Sequence, residues 1–276
     1  MSIIIENFKL GAFPLVEALA VAAKRPAITA PTYVPRGVRA VYRRGGLMVL
    51  AHETLPAVRT MKWIAKDSPE PYGPKAIYRN VTVSLPFVVT MVMVMRMGDG
   101  LWSYTHANEA FFSLTPFEAK EKLLFPALLN VSKWPDPAAE QTALAWICTA
   151  NYQFKPMKVG MEESKNLDLI TRQLVENLLL AGFNYSSERH EGQSWYSETI
   201  KSEKRIGTIE KWEVLTKKDP MCGLKMNYLP TKMTVDEMAE RMFFVGHNGL
   251  KGAAVGINSE AALAATLGAM KGKATK

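Results

Sequence analysis

Two cysteines and four widely spaced histidines are the groups in this 276-residue chain best suited to nucleophilic or metal chemistry. Cys148 closes the apolar stretch Ala145-Trp146-Ile147-Cys148-Thr149. A thiol attacks as its thiolate, which needs an electropositive or partly open setting. A cysteine at the end of an apolar run is equally readable as a small buried hydrophobe. Cys222 lies in Pro220-Met221-Cys222-Gly223 with Lys217, Lys218 and Lys225 close in sequence, cations that would favour a thiolate, or else it is a loop cysteine without function. Histidines 52, 106, 190 and 247 lie far apart, and the cysteines lack the paired spacing of a zinc site, so no metal is expected. His190, within Glu188-Arg189-His190-Glu191, reads as part of a solvated charged face. The glycines of 246–256 lack the Gly-Lys-Ser/Thr ending of a phosphate loop, and neither G-x-S-x-G nor H-E-x-x-H occurs. No cofactor is implied.

The elements that would position these groups are mixed. Residues 11–24 read as a short helix and 26–35 as a proline-rich connector. Residues 38–42 and 47–51 flank Gly45-Gly46, a hairpin signal because glycines accept the positive φ of a tight turn. The Val- and Met-rich run 85–97 is too continuous for a half-exposed strand and belongs in the middle of a sheet. Gly98-Asp99-Gly100 would turn it back onto residues 101–106 as antiparallel partner. Thr115-Pro116-Phe117-Glu118 carries the capping residue, first-turn proline and glutamate of a helix start, with Pro126 as its stop. The clearest helix is 166–181, with Leu167, Ile170, Leu174, Val175, Leu178 and Leu179 on one face and Gly182 beyond its end. Residues 186–205 read as polar, with Trp195 and Tyr196 isolated among charges. A short helix is expected around 206–215, and Thr234 with Glu237 forms a second capping box opening a helix to Phe244. An alanine-rich helix is expected from Ser259, before a solvated tail. The expected class is α+β: an antiparallel β-meander core flanked by helices, with added N- and C-terminal segments. The expected divisions are 1–75, 76–187 and 188–276.

Residues 80–187 resemble the ubiquitin-conjugating-enzyme fold, especially its divergent bacterial and phage-borne versions. The resemblance rests on Leu85-Pro86-Phe87-Val88-Val89 as central strand, Leu124-Phe125-Pro126-Ala127-Leu128-Leu129-Asn130-Val131 as the proline-to-asparagine loop, and Trp146-Ile147-Cys148 as the cysteine position. The helix that ends in Gly182-Phe183-Asn184 resembles the segment after the active site. The resemblance implies that Cys148 accepts the C-terminus of a ubiquitin-like protein as a thioester. It implies that Asn130 stabilises the oxyanion formed when an amine attacks, or holds the loop that does so. The family's His-Pro-Asn is absent: Leu128 stands for the histidine, and Ala127-Leu128-Leu129 separates Pro126 from Asn130. A ten-residue stretch, 133–142, with two prolines lengthens the path from Asn130 to Cys148. For Asn130 the bland reading is a turn residue bonded to its own backbone.

Three functional readings stay open at this level. One is a conjugating-enzyme-like protein of a bacterial or phage accessory system, forming a thioester with a ubiquitin-like partner or serving as an inactive binding platform. The second is a non-enzymatic phage or mobile-element assembly or scaffold protein, consistent with fifteen methionines and the aromatics Trp102, Tyr104 and Trp134 as contact surface. The third is nucleic-acid binding through Arg36, Arg39, Arg43 and Arg44 with Tyr33 and Tyr42 among them, under a net charge of +8. Two cysteines suit a reducing compartment, which makes the cytoplasm the expected location. The apolar run 81–95 is broken by Thr82, Ser84, Pro86 and Thr90 and falls short of a membrane span, and no signal peptide is read at the N-terminus.

Overall fold

The computed structural model describes residues 3–5, 33–70, 74–97, 100–105, 107–135, 143–149, 160–180 and 193–244. The helices expected at 11–24 and from Ser259, the glycine-rich 246–256, Gly182 and His190 lie outside these residues. The fold is mixed α+β, with antiparallel sheets and four described helices. In chain order the strands are β1 (Ile3–Ile5), β2 (Val38–Arg44), β3 (Leu47–Thr54), β4 (Ala57–Ile64), β5 (Tyr78–Leu85), β6 (Phe87–Arg96), β7 (Trp102–Tyr104), β8 (Glu109–Ser113), β9 (Lys122–Leu124), β10 (Val131–Pro135), β11 (Ala143–Ile147), β12 (Gln193–Ser194) and β13 (Pro230–Thr234). The helices are α1 (Glu163–Leu179), α2 (Trp195–Ser202), α3 (Ile209–Lys218) and α4 (235–244).

The main sheet runs β1-β2-β3-β6-β8-β11-β10-β12, with β7 added beside β6, and β9 and β13 beyond β8. All its pairings are antiparallel except β1 with β2. The expected hairpin is β2–β3, closed by Gly45 at φ +57°. The run read as a central strand is β6, held by β3 on one side and β8 on the other. It is apolar on both faces because both are covered. Val92 and Val94 join Val41, Met48 and Leu50 beneath Leu167, Ile170 and Leu174 of α1. Met91 and Met93 face a second, larger core shared with Met61, Trp63, Val81, Val83, Trp212 and Phe243. Strands β2 and β3 thus lie in one sheet with the central strand β6, and β2–β6 share this core with the helices after residue 193. No described helix is long and apolar enough to cross a membrane.

Three local expectations need correction. Residues 115–118 do not open a helix. The Phe117 N–H, which a helix start would leave for the cap, donates instead to Glu53 Oε1 at 2.6 Å. The following residues are drawn into β9 by pairing with β8 and β13. Trp195 and Tyr196 are not isolated among charges but begin α2, whose Ser194 side chain caps the Ser197 N–H. Trp195 stacks on Phe125 with ring centroids 3.5 Å apart, and Tyr196 meets Trp63 edge-on at 5.0 Å. Trp102 is not a contact-surface aromatic. It is wholly buried, and its indole N–H donates to Glu163 Oε1 at 2.8 Å.

Pro86 lies between β5, in a two-stranded ribbon with β4, and β6, in the main sheet. The preceding Ser84 fixes this corner: its N–H donates to Thr216 Oγ1 at 2.9 Å, its hydroxyl donates to the Pro220 carbonyl at 2.7 Å, and it accepts from the Gly223 N–H at 3.1 Å. A Cβ on Gly223 would lie 2.7 Å from the Ser84 carbonyl oxygen, too close for any side chain without backbone movement. Gly223→Ala is therefore expected to destabilise the protein by about 1–3 kcal/mol, the usual effect of overpacking. Urea denaturation measures this, and an unchanged midpoint would show that the corner yields freely.

Candidate functional site

Asn130 and Cys148 are brought together. The seventeen residues between them in sequence include the antiparallel pair β10–β11, which sets Val131 opposite Ile147. One step beyond that pair, the Cys148 N–H donates to the Asn130 carbonyl at 2.8 Å. The neighbourhood is closed: Cys148 is 3% exposed and Asn130 2%.

The reason is the end of α1. A helix leaves its last carbonyls without intrahelical donors. The Asn130 side-chain amide supplies them, donating to Leu178 O at 3.2 Å and, more weakly, to Asn177 O at 3.5 Å. Asn177 reciprocates from the helix, its amide donating to the Cys148 carbonyl at 3.2 Å. The donors that an oxyanion would require from Asn130 are thus committed to a helix terminus. Asn130 does lie in a turn, just before β10, but its amide donates to the helix end rather than to its own backbone or into an opening; it is a C-terminal cap contributed from outside the helix.

Beside the same helix lies a groove of about 980 Å³, between α1 and the turn joining β3 to β4. One wall carries Thr171, Arg172 and Val175 of α1; the other carries His52, Thr54 and Arg59. Arg36 and Arg39 also line it. Arg39 Nε donates to Glu53 Oε2 at 2.8 Å, which together with the Phe117 N–H occupies that carboxylate. The Tyr33 hydroxyl donates to Asp168 at 2.6 Å. Arg172 stands 3.8 Å from Glu176. Arg36 and Arg59 form no ion pair among the described residues. Burial lowers the Arg59 pKa below its ordinary value. Burial also lowers that of His52, to about 4, so the imidazole is neutral at pH 7. The sequence marks Arg36 and Arg39 but carries no local signal joining them to Arg59 or Thr171, because the helix and the strand turn meet only in three dimensions.

The other sequence candidates are dispersed or enclosed. Cys222 is 3% exposed, with its sulfur 3.8 Å from Thr216 Oγ1, while Lys217, Lys218 and Lys225 face solvent. The arginines of the hairpin do not form one surface: Arg44 pairs with Glu240 and lies over Phe243, and Arg43 lies over Trp102. Tyr42 is buried, its hydroxyl donating to Asp236 at 2.7 Å. Among the described residues no group of three His, Cys, Asp or Glu side chains is placed to hold a metal. His106 and His247 lie outside them, as does the Trp134 side chain. Comparison with protein-family models, curated proteins and solved structures yields no match.

His52 gives the groove a pH signature. Its folded pKa, about 4, lies below the ordinary 6.5, with burial as the main cause and Arg39 adding to it against the opposing Glu53. Between those values the unfolded chain binds the extra proton, so stability is complete above pH 6.5 and falls as pH drops toward 4. The expected loss is at most about 3 kcal/mol. Urea unfolding at a series of pH values should show this fall in the wild type and a shallower one in His52→Gln; identical profiles would place the imidazole in water.

Proposed function

We propose that the chain is a non-catalytic, conjugating-enzyme-like protein that acts as a binding platform for a partner protein. The burial of Cys148 carries this reading. Thioester formation requires sulfur to reach a carbonyl carbon at about 3–3.5 Å with its orbitals aligned. A thiol at 3% exposure offers no such approach. The second support is the use of Asn130, whose amide donors are spent on the end of α1 rather than aimed into an opening. In sequence the strands, proline-to-asparagine loop, cysteine and helix follow the order that the resemblance implies, while Cys148 and Asn130 serve the scaffold.

The test is cysteine dependence. Tagged full-length protein and its Cys148→Ser variant, purified from the source cells, should retain the same partners. They should also give the same pattern on non-reducing gels. A thiol-sensitive adduct present with the wild type and absent from Cys148→Ser would contradict the proposal. The absence of any co-purifying protein from both forms would contradict its platform half.

A further inference from the structure

The groove between α1 and the β3–β4 turn gathers polar groups that the fold does not satisfy. His52 Nδ1, Thr54 Oγ1, Arg59 Nε and Thr171 Oγ1 are buried atoms with no hydrogen-bond partner among the described residues. All four residues line this one cavity. Folded proteins leave few such atoms, since each costs about 1–3 kcal/mol. Thr171 is the most enclosed, at 2% exposure, with its hydroxyl oxygen unpaired.

Arg59 states the chemistry that is missing. Among the described residues its guanidinium makes one hydrogen bond, from Nη2 to the Leu55 carbonyl at 3.3 Å. A partly desolvated cation without a counter-ion is unfavourable, and water in the groove would hydrate it without neutralising it. The nearby carboxylates of Glu53, Asp168 and Glu176 already have partners. The ligand must therefore bring its own anionic group. The rest of the lining decides its class. Leu55 and Leu180 stand at the groove 60% and 59% exposed, so apolar contacts accompany the cations. A polyphosphate chain, charged along its whole length, would leave Leu55 and Leu180 without an apolar partner. A segment alternating acidic and apolar side chains meets both halves of the lining.

We infer that this groove receives an acidic segment of a partner protein, with a carboxylate of that segment pairing to Arg59; the inference rests on the platform reading and assigns its contact surface. Arg36 supplies a second cation, and the hydroxyls of Thr54 and Thr171 supply hydrogen bonds.

The probe is a fluorescent capped peptide of alternating Glu and Leu, titrated with the full chain at low ionic strength and read by anisotropy. The peptide should bind. Arg59→Gln should weaken binding by about tenfold or more, the usual consequence of removing one member of a desolvated charge pair. Lys217→Gln, which removes an equal charge on α3 outside the groove, should leave binding unchanged. Urea unfolding of Arg59→Gln should give a midpoint at or above that of the wild type, because the uncompensated charge is gone. No binding, or binding indifferent to Arg59→Gln, overturns the inference. It is also overturned if a single-stranded oligonucleotide displaces the peptide through Arg59, or if phosphate or acetate competes at the peptide's own concentration. These outcomes are separable from the platform reading: Arg59-dependent binding alongside a Cys148 adduct would overturn that reading alone.

Discussion

Helix α1 is fastened to the sheet at both ends by asparagine amides, and the placement of the candidate groups follows from that. At its N-terminal end Asn166 exchanges two hydrogen bonds with the backbone of Trp102, accepting from its N–H at 2.7 Å and donating to its carbonyl at 3.0 Å. The side chain thereby imitates the edge of a neighbouring strand. At the C-terminal end the Asn130 amide donates to the Leu178 carbonyl and the Asn177 amide donates to the Cys148 carbonyl, across the joint between helix and sheet. Buried amides of this kind are favourable when matched and costly when one partner is missing. They fix both the height and the register of the helix over the strands. With α1 so fixed, its last turn roofs the end of β11, and its polar flank becomes a wall of the groove.

The opposite face of the sheet obeys a parallel constraint. Arg241 of α4 forms a buried ion pair with Glu109 of β8, and the same carboxylate accepts the Ala145 N–H at 2.8 Å. Removing one member of such a pair strands the other charge in the core, typically at about 3–5 kcal/mol. The pair therefore specifies where α4 sits more than it adds net stability. Trp212 and Phe243 complete that layer. The central strand is consequently apolar over residues 91–94, with fully buried Met91, Val92, Met93 and Val94 alternating between two covered faces.

Much of this architecture is legible in the sequence where local chemistry and tertiary demand agree. The Gly45-Gly46 hairpin, the β6 run and the periodicity of α1 are cases in which turn chemistry or hydrophobic pattern admits one solution. The capping box at Thr234 and Glu237 is another: each residue's side chain accepts the other's backbone N–H, at 3.2 and 2.8 Å. The capping signal at Thr115 and Glu118 is as strong in sequence but is overruled by a carboxylate 64 residues away, Glu53. Trp195 and Tyr196 look stranded because their neighbours in sequence are polar, whereas their neighbours in space are Phe125 and Trp63. The site divides in the same way. That Asn130 and Cys148 lie together follows from the pairing of β10 with β11, which the prolines of 133–142 disguise in sequence as a lengthened loop; that a helix end closes over both depends on Asn177, which no local pattern marks. The groove is legible only in part, since Arg36 and Arg39 draw notice as a basic cluster while Arg59 and Thr171 do not.

The central claim, that the Cys148 sulfur is enclosed by the folded protein and available only when α1 lifts away, is tested most directly by native-state thiol exchange. The labelling rate of Cys148, in a Cys222→Ala background, is followed as urea rises from zero to the unfolding transition. The account predicts slow labelling whose opening free energy falls with urea, reflecting the surface exposed when the helix detaches or the protein unfolds. Rapid labelling without urea, with a rate indifferent to denaturant, would contradict it by placing the thiol at an open surface.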